Sequence, residues 1–479
     1  MSAMRWPAAA TVEAAIASSP LPIALPWVLQ KMQTTVIILL SYESISQLAR
    51  ATWRVGQANP VRGKGGRVDQ RVVVTGMGAV SALGLSLAET WAGLVDGRSG
   101  VRPIESFNTE GFPVRIAAPV GSLDAVSVLQ RKDVRRACRY AHLAMAAALE
   151  AVADAGLNLA AEDPTRIGLI IGSAVGGIGS IEEQTVHLFQ GGVRRVNPVL
   201  VPMVIVNAAT CLIAVQLGIQ GIAQAPAAAC ATGVIALGDA LHCLRRGDAD
   251  VVLAGGADAP ITPLTLAGFS RLGALSARND DPAHACRPFD ATRDGAVLGE
   301  GAAILVLETA AHAERRGATV LAEVAGYGLT VDAYHMTVPE PTGAGARRAM
   351  SLALADSGLG PAEIDLIVAH GTGTALNDVA ETRAIHAVFG ERGRRVAVTS
   401  NKGAIGHTMG AAGAISAAAA VQAMRTGLLP PTTNLVTPDA ECELDHVVGR
   451  ARPATVRAAL VNAIGFGGQN ASLVLRSWN

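Results

Sequence analysis

The 479-residue chain is half apolar and carries a formal net charge of zero, so it is long enough for one large domain or two fused ones, and its charge argues against bulk nucleic-acid binding. Its six cysteines, Cys138, Cys211, Cys230, Cys243, Cys286 and Cys442, are scattered without a CxxC pair. That spacing argues against a zinc site and a disulfide framework, and it favours a reducing compartment.

The N-terminal stretch differs from the rest. Up to Arg67 the only acids are Glu13 and Glu43, against seven Lys and Arg. The apolar run TTVIILLSY is half the ~20 residues that span a bilayer, and LPIALPW is interrupted by prolines, so no membrane span is expected. Residues 1–69 read as the product of a wrongly assigned start codon, as an organelle transit peptide, or as a real extension. On each reading the segment is expected to be poorly ordered, to carry no chemistry and to be dispensable. The expected location is the cytoplasm, or a plastid or mitochondrion if the segment is a transit peptide.

From Gln70 onward the texture is strand, glycine turn, helix, repeated. RVVVTGMGAV reads as a buried strand, RYAHLAMAAALEAVADAGL as a helix with small apolar residues on most faces, and RIGLIIGSAVGG as a second buried strand. GVIALGDALHCLRRGDAD then reads as a helix and VVLAGGAD as a strand. Continuous Val/Ile/Leu strands between helices predict sheets covered on both faces, an α/β fold. The pattern also echoes itself. IGLIIGSAVGG resembles IDLIVAHGTGT, APAAACATGVIALGDALHCLRRGD resembles VTSNKGAIGHTMGAAGAISAAAAVQAMRTG, and ADVVLAGGAD resembles AALVNAIGFGG, in the same order. Two similar halves are expected, 70–325 and 326–479, with the loops of both meeting centrally.

The echo places chemistry-bearing side chains at strand ends and helix starts. Cys230 falls at a strand-to-helix turn, Lys402 and His407 at the equivalent turn of the second half, and His370 at a strand end before Gly371. A helix N-terminus offers unpaired N–H groups and about half a positive charge, which predicts a Cys230 thiol of lowered pKa. Small residues around it permit the sharp turn a nucleophile needs. GSAVGGIG lacks the lysine of a P-loop and the GxGxxG order, so no nucleotide site is implied.

Residues 71 to 479 resemble the β-ketoacyl-acyl-carrier-protein synthases of the type II elongating kind. The resemblance rests on VVVTGMGAVSALG, GSAVGGIGSIEE, AAACATG, RPFDATRDGAVLGEGAAILVLE, AYHMTVPEPTGAG, VAHGTGTALNDVAET, SNKGAIGHTMGAAGA and GFGGQNAS, in order along nearly the whole chain. It implies a thiolase-like α/β fold, two βαβαβ-type halves in a five-layered αβαβα sandwich. It also implies decarboxylative condensation of an enzyme-bound acyl thioester with malonyl-carrier protein in fatty-acid elongation. No cofactor and no metal are implied. The partners implied are acyl carrier protein and a second copy of the chain.

Residue roles follow from the same resemblance. Cys230 would carry the acyl group, and the backbone N–H groups of Cys230 and Phe466 would hold the oxyanion. Neutral His370 and His407 would donate two Nε2–H bonds to the enolate. Lys402 would steady the field, with Glu381 as its partner and Asp378 as a further candidate. Thr372 and Thr374 match pantetheine-binding positions, Val175 matches a gate in the acyl pocket, and Ile464 stands near that pocket. Arg131, Lys132, Arg135, Arg136 and Arg139 match a segment that docks carrier protein. Ala228 stands where the family usually has Thr, Ile464 replaces an aromatic residue, Cys138 replaces an acid, and Gln469 replaces Thr or His. These departures leave open a ketosynthase of a type II polyketide or polyene pathway. A non-catalytic chain-length subunit would lack the nucleophile, and a biosynthetic thiolase would need a second cysteine near the C-terminus. Initiating synthases use His and Asn rather than two His.

Overall fold

The computed structural model describes residues 70–478; the expectations for residues 1–69 lie outside the described residues. Eleven strands form one sheet: β1 (Val72–Val80), β2 (Ile167–Gly172), β3 (Ala223–Gln224), β4 (Val251–Asp258), β5 (Gly301–Thr309), β6 (Ala322–Val331), β7 (Leu366–Val368), β8 (Ala397–Thr399), β9 (Asp445–His446), β10 (Ala458–Gly465) and β11 (Gln469–Arg476). β1, β2, β4 and β5 are buried along their whole length, which is why their sequences are apolar runs rather than alternations.

The order across the sheet is β9-β8-β7-β10-β11-β6-β1-β5-β4-β2-β3. The first five strands follow the order β1-β5-β4-β2-β3, with antiparallel, antiparallel, parallel and parallel pairings. β6-β11-β10-β7-β8 repeats those four pairings in the same sequence. The echo read from the letters is therefore an echo of topology. β1 and β6 also pair, Val72 opposite Val324, so the two strand layers are joined edge to edge in one sheet.

Six helices complete the layers: α1 (Arg139–Asp154), α2 (Ala208–Leu217), α3 (Thr232–Arg246), α4 (Ala344–Ser357), α5 (Ala375–Phe389) and α6 (Ala412–Thr426). α1 covers β1, β5 and β4, while α4 covers β6, β11 and β10. α3 and α6 lie between the two sets of strands and pack on both. This is the five-layered α/β thiolase-like arrangement. The two central helices cross at reciprocal glycines. A Cβ on Gly233 would lie 2.7 Å from the Ala414 amide nitrogen, and one on Gly413 would lie 2.8 Å from the Val234 amide nitrogen. Both helices are preceded by one 3₁₀ turn that begins at a residue with positive φ, Ala229 (47°) and Met409 (51°). Those two turns, one per half, are what the crossing brings together.

Candidate active site

Cys230 sits in the 3₁₀ turn Ala229–Ala231 that leads into α3. The turn is held by Thr232, whose hydroxyl accepts from the Ala228 amide at 2.9 Å and donates to the Ala229 carbonyl at 2.7 Å. The end of β10 presses against it: a Cβ on Gly465 would lie 2.9 Å from the Ala228 carbonyl oxygen and 3.2 Å from the Cys230 nitrogen. The next residue, Phe466, turns its amide toward the Cys230 sulfur, as does the amide of Cys230 itself. The two amides expected to hold an oxyanion thus converge on the Cys230 sulfur.

The structure corrects one expectation here. Burial pushes the Cys230 thiol up to about 11, although Lys402 and both amides favour the thiolate. Desolvation of a sulfur that is nearly inaccessible outweighs those favourable contacts. At neutral pH the Cys230 side chain therefore rests as a thiol.

His370 lies two residues beyond β7, and His407 lies just before the turn that leads into α6. Their rings are 5.4 Å apart and nearly perpendicular. His407 Nε2 is 3.0 Å from Cys230 Sγ. The Met409 amide donates to His407 Nδ1 at 3.3 Å, and Lys402 Nζ lies 3.4 Å from His370 Nδ1 and donates to the His370 carbonyl. Because each Nδ1 faces a donor, the ring hydrogen of each neutral imidazole is on Nε2. Burial, reinforced by the Lys402 charge, holds both imidazoles well below the usual histidine range. Two neutral Nε2–H donors therefore point into one small volume beside a thiol.

Sγ and ring nitrogens of this trio lie within 4.8 Å of one another, a spacing that a metal ion could bridge. A metal-bound histidine donates its second ring N–H to an acceptor. Here both Nδ1 atoms meet donors, so the hydrogen bonding suits the capture of a developing oxyanion.

Glu381 is not the ion-pair partner of Lys402. Its buried carboxylate accepts from the amides of His370 and Gly371, both at 2.8 Å, and from Asn462 Nδ2 at 3.1 Å. It fixes the backbone that carries His370 and acts on Lys402 only through space. Asp378 organises the following loop. It accepts from the amides of Phe289 at 2.8 Å and Thr372 at 3.0 Å, with Arg293 Nε 3.6 Å away. Asn462 and Asp258 were not anticipated. Asp258 was visible as the acid that ends VVLAGGAD, at the strand end matching the one before Phe466.

Cys230, His370 and His407 open onto a cavity of about 330 Å³. Phe269, Leu272, Leu275, Leu298, Met409, Ile464 and Phe466 give it an apolar side, with the Phe269 and Phe466 rings stacked 5.9 Å apart. Thr372, Thr374, Thr337 and Asn377 give it a polar side, and the hydroxyls of Thr372 and Thr374 bond each other at 2.8 Å. Val175 is not part of the wall. It packs against the apolar cluster that contains Cys230 and Met409.

A buried thiol, two amides aimed at it and two imidazole donors, on a thiolase-like fold, define a thiol-dependent acyltransferase. The β-ketoacyl synthase N-terminal domain model matches residues 69–313 and the C-terminal domain model matches residues 321–436. The chain belongs to the β-ketoacyl synthase family. It is 44% identical over 409 residues to a Synechocystis protein named 3-oxoacyl-[acyl-carrier-protein] synthase 2, covering 85% of this chain and 98% of that one. Among solved structures, the ishigamide ketosynthase/chain length factor is 38% identical with a TM-score of 0.80, covering 86% of this chain and all of that one. A type II polyketide ketosynthase, bound to the hexaketide and in complex with its acyl-carrier protein, is 33% identical with a TM-score of 0.80, covering 86% of this chain and 100% of that chain.

Proposed function

We propose that the chain is a 3-oxoacyl-[acyl-carrier-protein] synthase that elongates fatty acyl chains. The observation that carries this reading is His407 Nε2 at 3.0 Å from Cys230 Sγ with His370 beside it, both imidazoles set as neutral donors. Cys230 attacks the acyl thioester of a loaded carrier. The amides of Cys230 and Phe466 hold the tetrahedral oxyanion, and the thiol proton leaves with the carrier thiolate. Malonyl-carrier then enters along Thr372 and Thr374. Its carboxylate leaves as carbon dioxide, and the electron pair passes to the thioester oxygen, held by the two Nε2–H groups. Their imidazoles are neutral, so they polarise the enolate without quenching it. The carbanion attacks the Cys230 thioester, and the C–S bond breaks with its electron pair going to sulfur. The resulting thiolate takes a proton from solvent to regain the thiol, and the 3-oxoacyl product departs on the carrier.

Purified protein given malonyl-carrier protein and acyl primers of several lengths is expected to release carbon dioxide and form 3-oxoacyl product. Absence of both would overturn the reading. The relatives' names support fatty-acid elongation, and the ishigamide likeness supports a polyketide or polyene primer as the second reading. The primer range decides between them. Ile464 lines the cavity, and a larger ring there overfills it at a cost of about 1–3 kcal/mol. Ile464→Phe is expected to lower the ratio of long-primer to short-primer condensation rates. An unchanged ratio would show that specificity is set elsewhere.

The carrier protein is proposed to dock on Arg131, Lys132, Arg135 and Arg136, which are exposed. Arg139 is a weaker candidate, since it pairs with Glu300 at 2.8 Å. A second copy of the chain is proposed to cover the open edge at β3, where Ala223 and Gln224 are exposed, and the apolar side chains of Phe189, Val193, Val201 and Val215. No helix among the described residues is long and apolar enough to cross a membrane. The cytoplasm, or an organelle if residues 1–69 are a transit peptide, is the proposed location.

A further inference from the structure

We infer that Asp258 is a positioning residue for the reaction proposed above: its carboxylate latches the turn that carries His407 to the loop beside the nucleophile, and so sets the spacing between His407 and Cys230. The inference rests on that reaction assignment for its kinetic test and on geometry alone for its structural one.

Asp258 ends β4 and is fully buried. From its own half it accepts from the Ser173 hydroxyl at 2.5 Å and from the amides of Ala174 and Val175 at 2.9 and 3.2 Å. From the other half it accepts from the Gly410 amide at 2.6 Å. That approach needs glycine: a Cβ on Gly410 would stand 2.6 Å from Asp258 Oδ2 and 2.9 Å from the Ala174 nitrogen. Gly410 follows Met409, whose amide holds His407 Nδ1, and His407 Nε2 meets the Cys230 sulfur. One short chain of hydrogen bonds thus runs from the carboxylate to the nucleophile across the junction of the halves.

The carboxylate reacts with nothing in the proposed steps, and burying it is costly. Burial pushes it up to about 6 in spite of its four donors. Its titratable neighbours are Cys230 and Tyr140, both of which its charge pushes up. Above pH 6 it is an acceptor for all four groups. Once protonated, one oxygen becomes a donor that faces other donors, and the latch loosens.

Asp258→Asn preserves shape but turns an NH₂ group toward an amide donor. Displacements on the order of 1 Å at a reacting centre cost about 100-fold in rate. The variant is expected to decarboxylate malonyl-carrier protein about 100-fold more slowly and, because His407 also contacts Cys230 Sγ, to acylate Cys230 more slowly by a smaller factor. Parental decarboxylation is expected to fall as pH drops through about 6, and the residual rate of the variant to lack that limb. Ser173→Ala removes one donor, is expected to give a smaller loss in the same step, and serves as the test if Asp258→Asn fails to fold. Unchanged decarboxylation in these variants, or equal losses in acylation and decarboxylation, would overturn the latch. A crystal structure of either variant keeps the question separate from the reaction. Withdrawal of His407 Nε2 from Sγ supports the latch, and an unchanged separation overturns it even if the parent protein proves inactive as a synthase.

Discussion

Cys230→Ala is expected to leave no measurable condensation, because no other group in the cavity can form the acyl thioester. Carbon dioxide release from malonyl-carrier protein is expected to continue in that variant, since the imidazole pair and Lys402 are untouched. The same residue is expected to be singled out by electrophiles that carry an acyl chain. Cys230 is buried and its thiol is pushed up to about 11, so small alkylating reagents reach the exposed Cys211 first. An acyl-bearing electrophile instead delivers its reactive carbon through the apolar cavity to the convergence of the Cys230 and Phe466 amides. Mass mapping after each reagent checks both halves of the statement. Acyl-electrophile labelling of Cys211 or Cys243 ahead of Cys230 would remove Cys230 from the role of nucleophile.

The second large effect belongs to the imidazoles. Removing one preorganised donor from a developing oxyanion costs on the order of 2.7–4 kcal/mol, or about 10²–10³ in rate. His370→Ala and His407→Ala are each expected to lose decarboxylation by that factor. They are expected to differ in acylation. His407 contacts Sγ at 3.0 Å, so its loss slows thioester formation as well, whereas the side-chain partner of His370 is Lys402. The double variant is expected to lose less than the product of the two single factors, because the donors share one oxygen. Decarboxylation at the parental rate in both single variants would overturn the two-donor mechanism.

Glu381 and Asp378 show how sequence reading can find a residue and miss its work. Both lie in NDVAET, close to His370, and both are buried at the site. Spacing could not show that their partners are backbone amides of the loop 370–373, because a carboxylate in a sequence looks the same whether it meets a lysine or an N–H. Arg139 is the converse case. Its place in a basic run suggested solvent and a partner surface, but Glu300, 161 residues away, holds it at 2.8 Å. Val175 sits in a readable glycine-rich loop, yet whether it lines the cavity depends on how the folded chain packs that loop against the cluster that contains Cys230 and Met409.

The α/β class, the repeated strand and helix order, and the candidate thiol and two imidazoles were legible in the letters alone. These follow from local physics: apolar runs need two covered faces, small residues and glycines permit sharp turns, and helix starts present free N–H groups. That the Cys230 thiol is pushed up, and that the Met409 amide and Lys402 are the donors that keep each imidazole hydrogen on Nε2, came from the folded structure. It alone also set Glu381 on amides and joined Asp258 to Gly410. Burial and hydrogen-bond direction are set by what the crossing of α3 and α6 brings within a few ångströms. The groups concerned lie as far apart along the chain as Cys230 and His407, 177 residues, a distance over which no local pattern carries information.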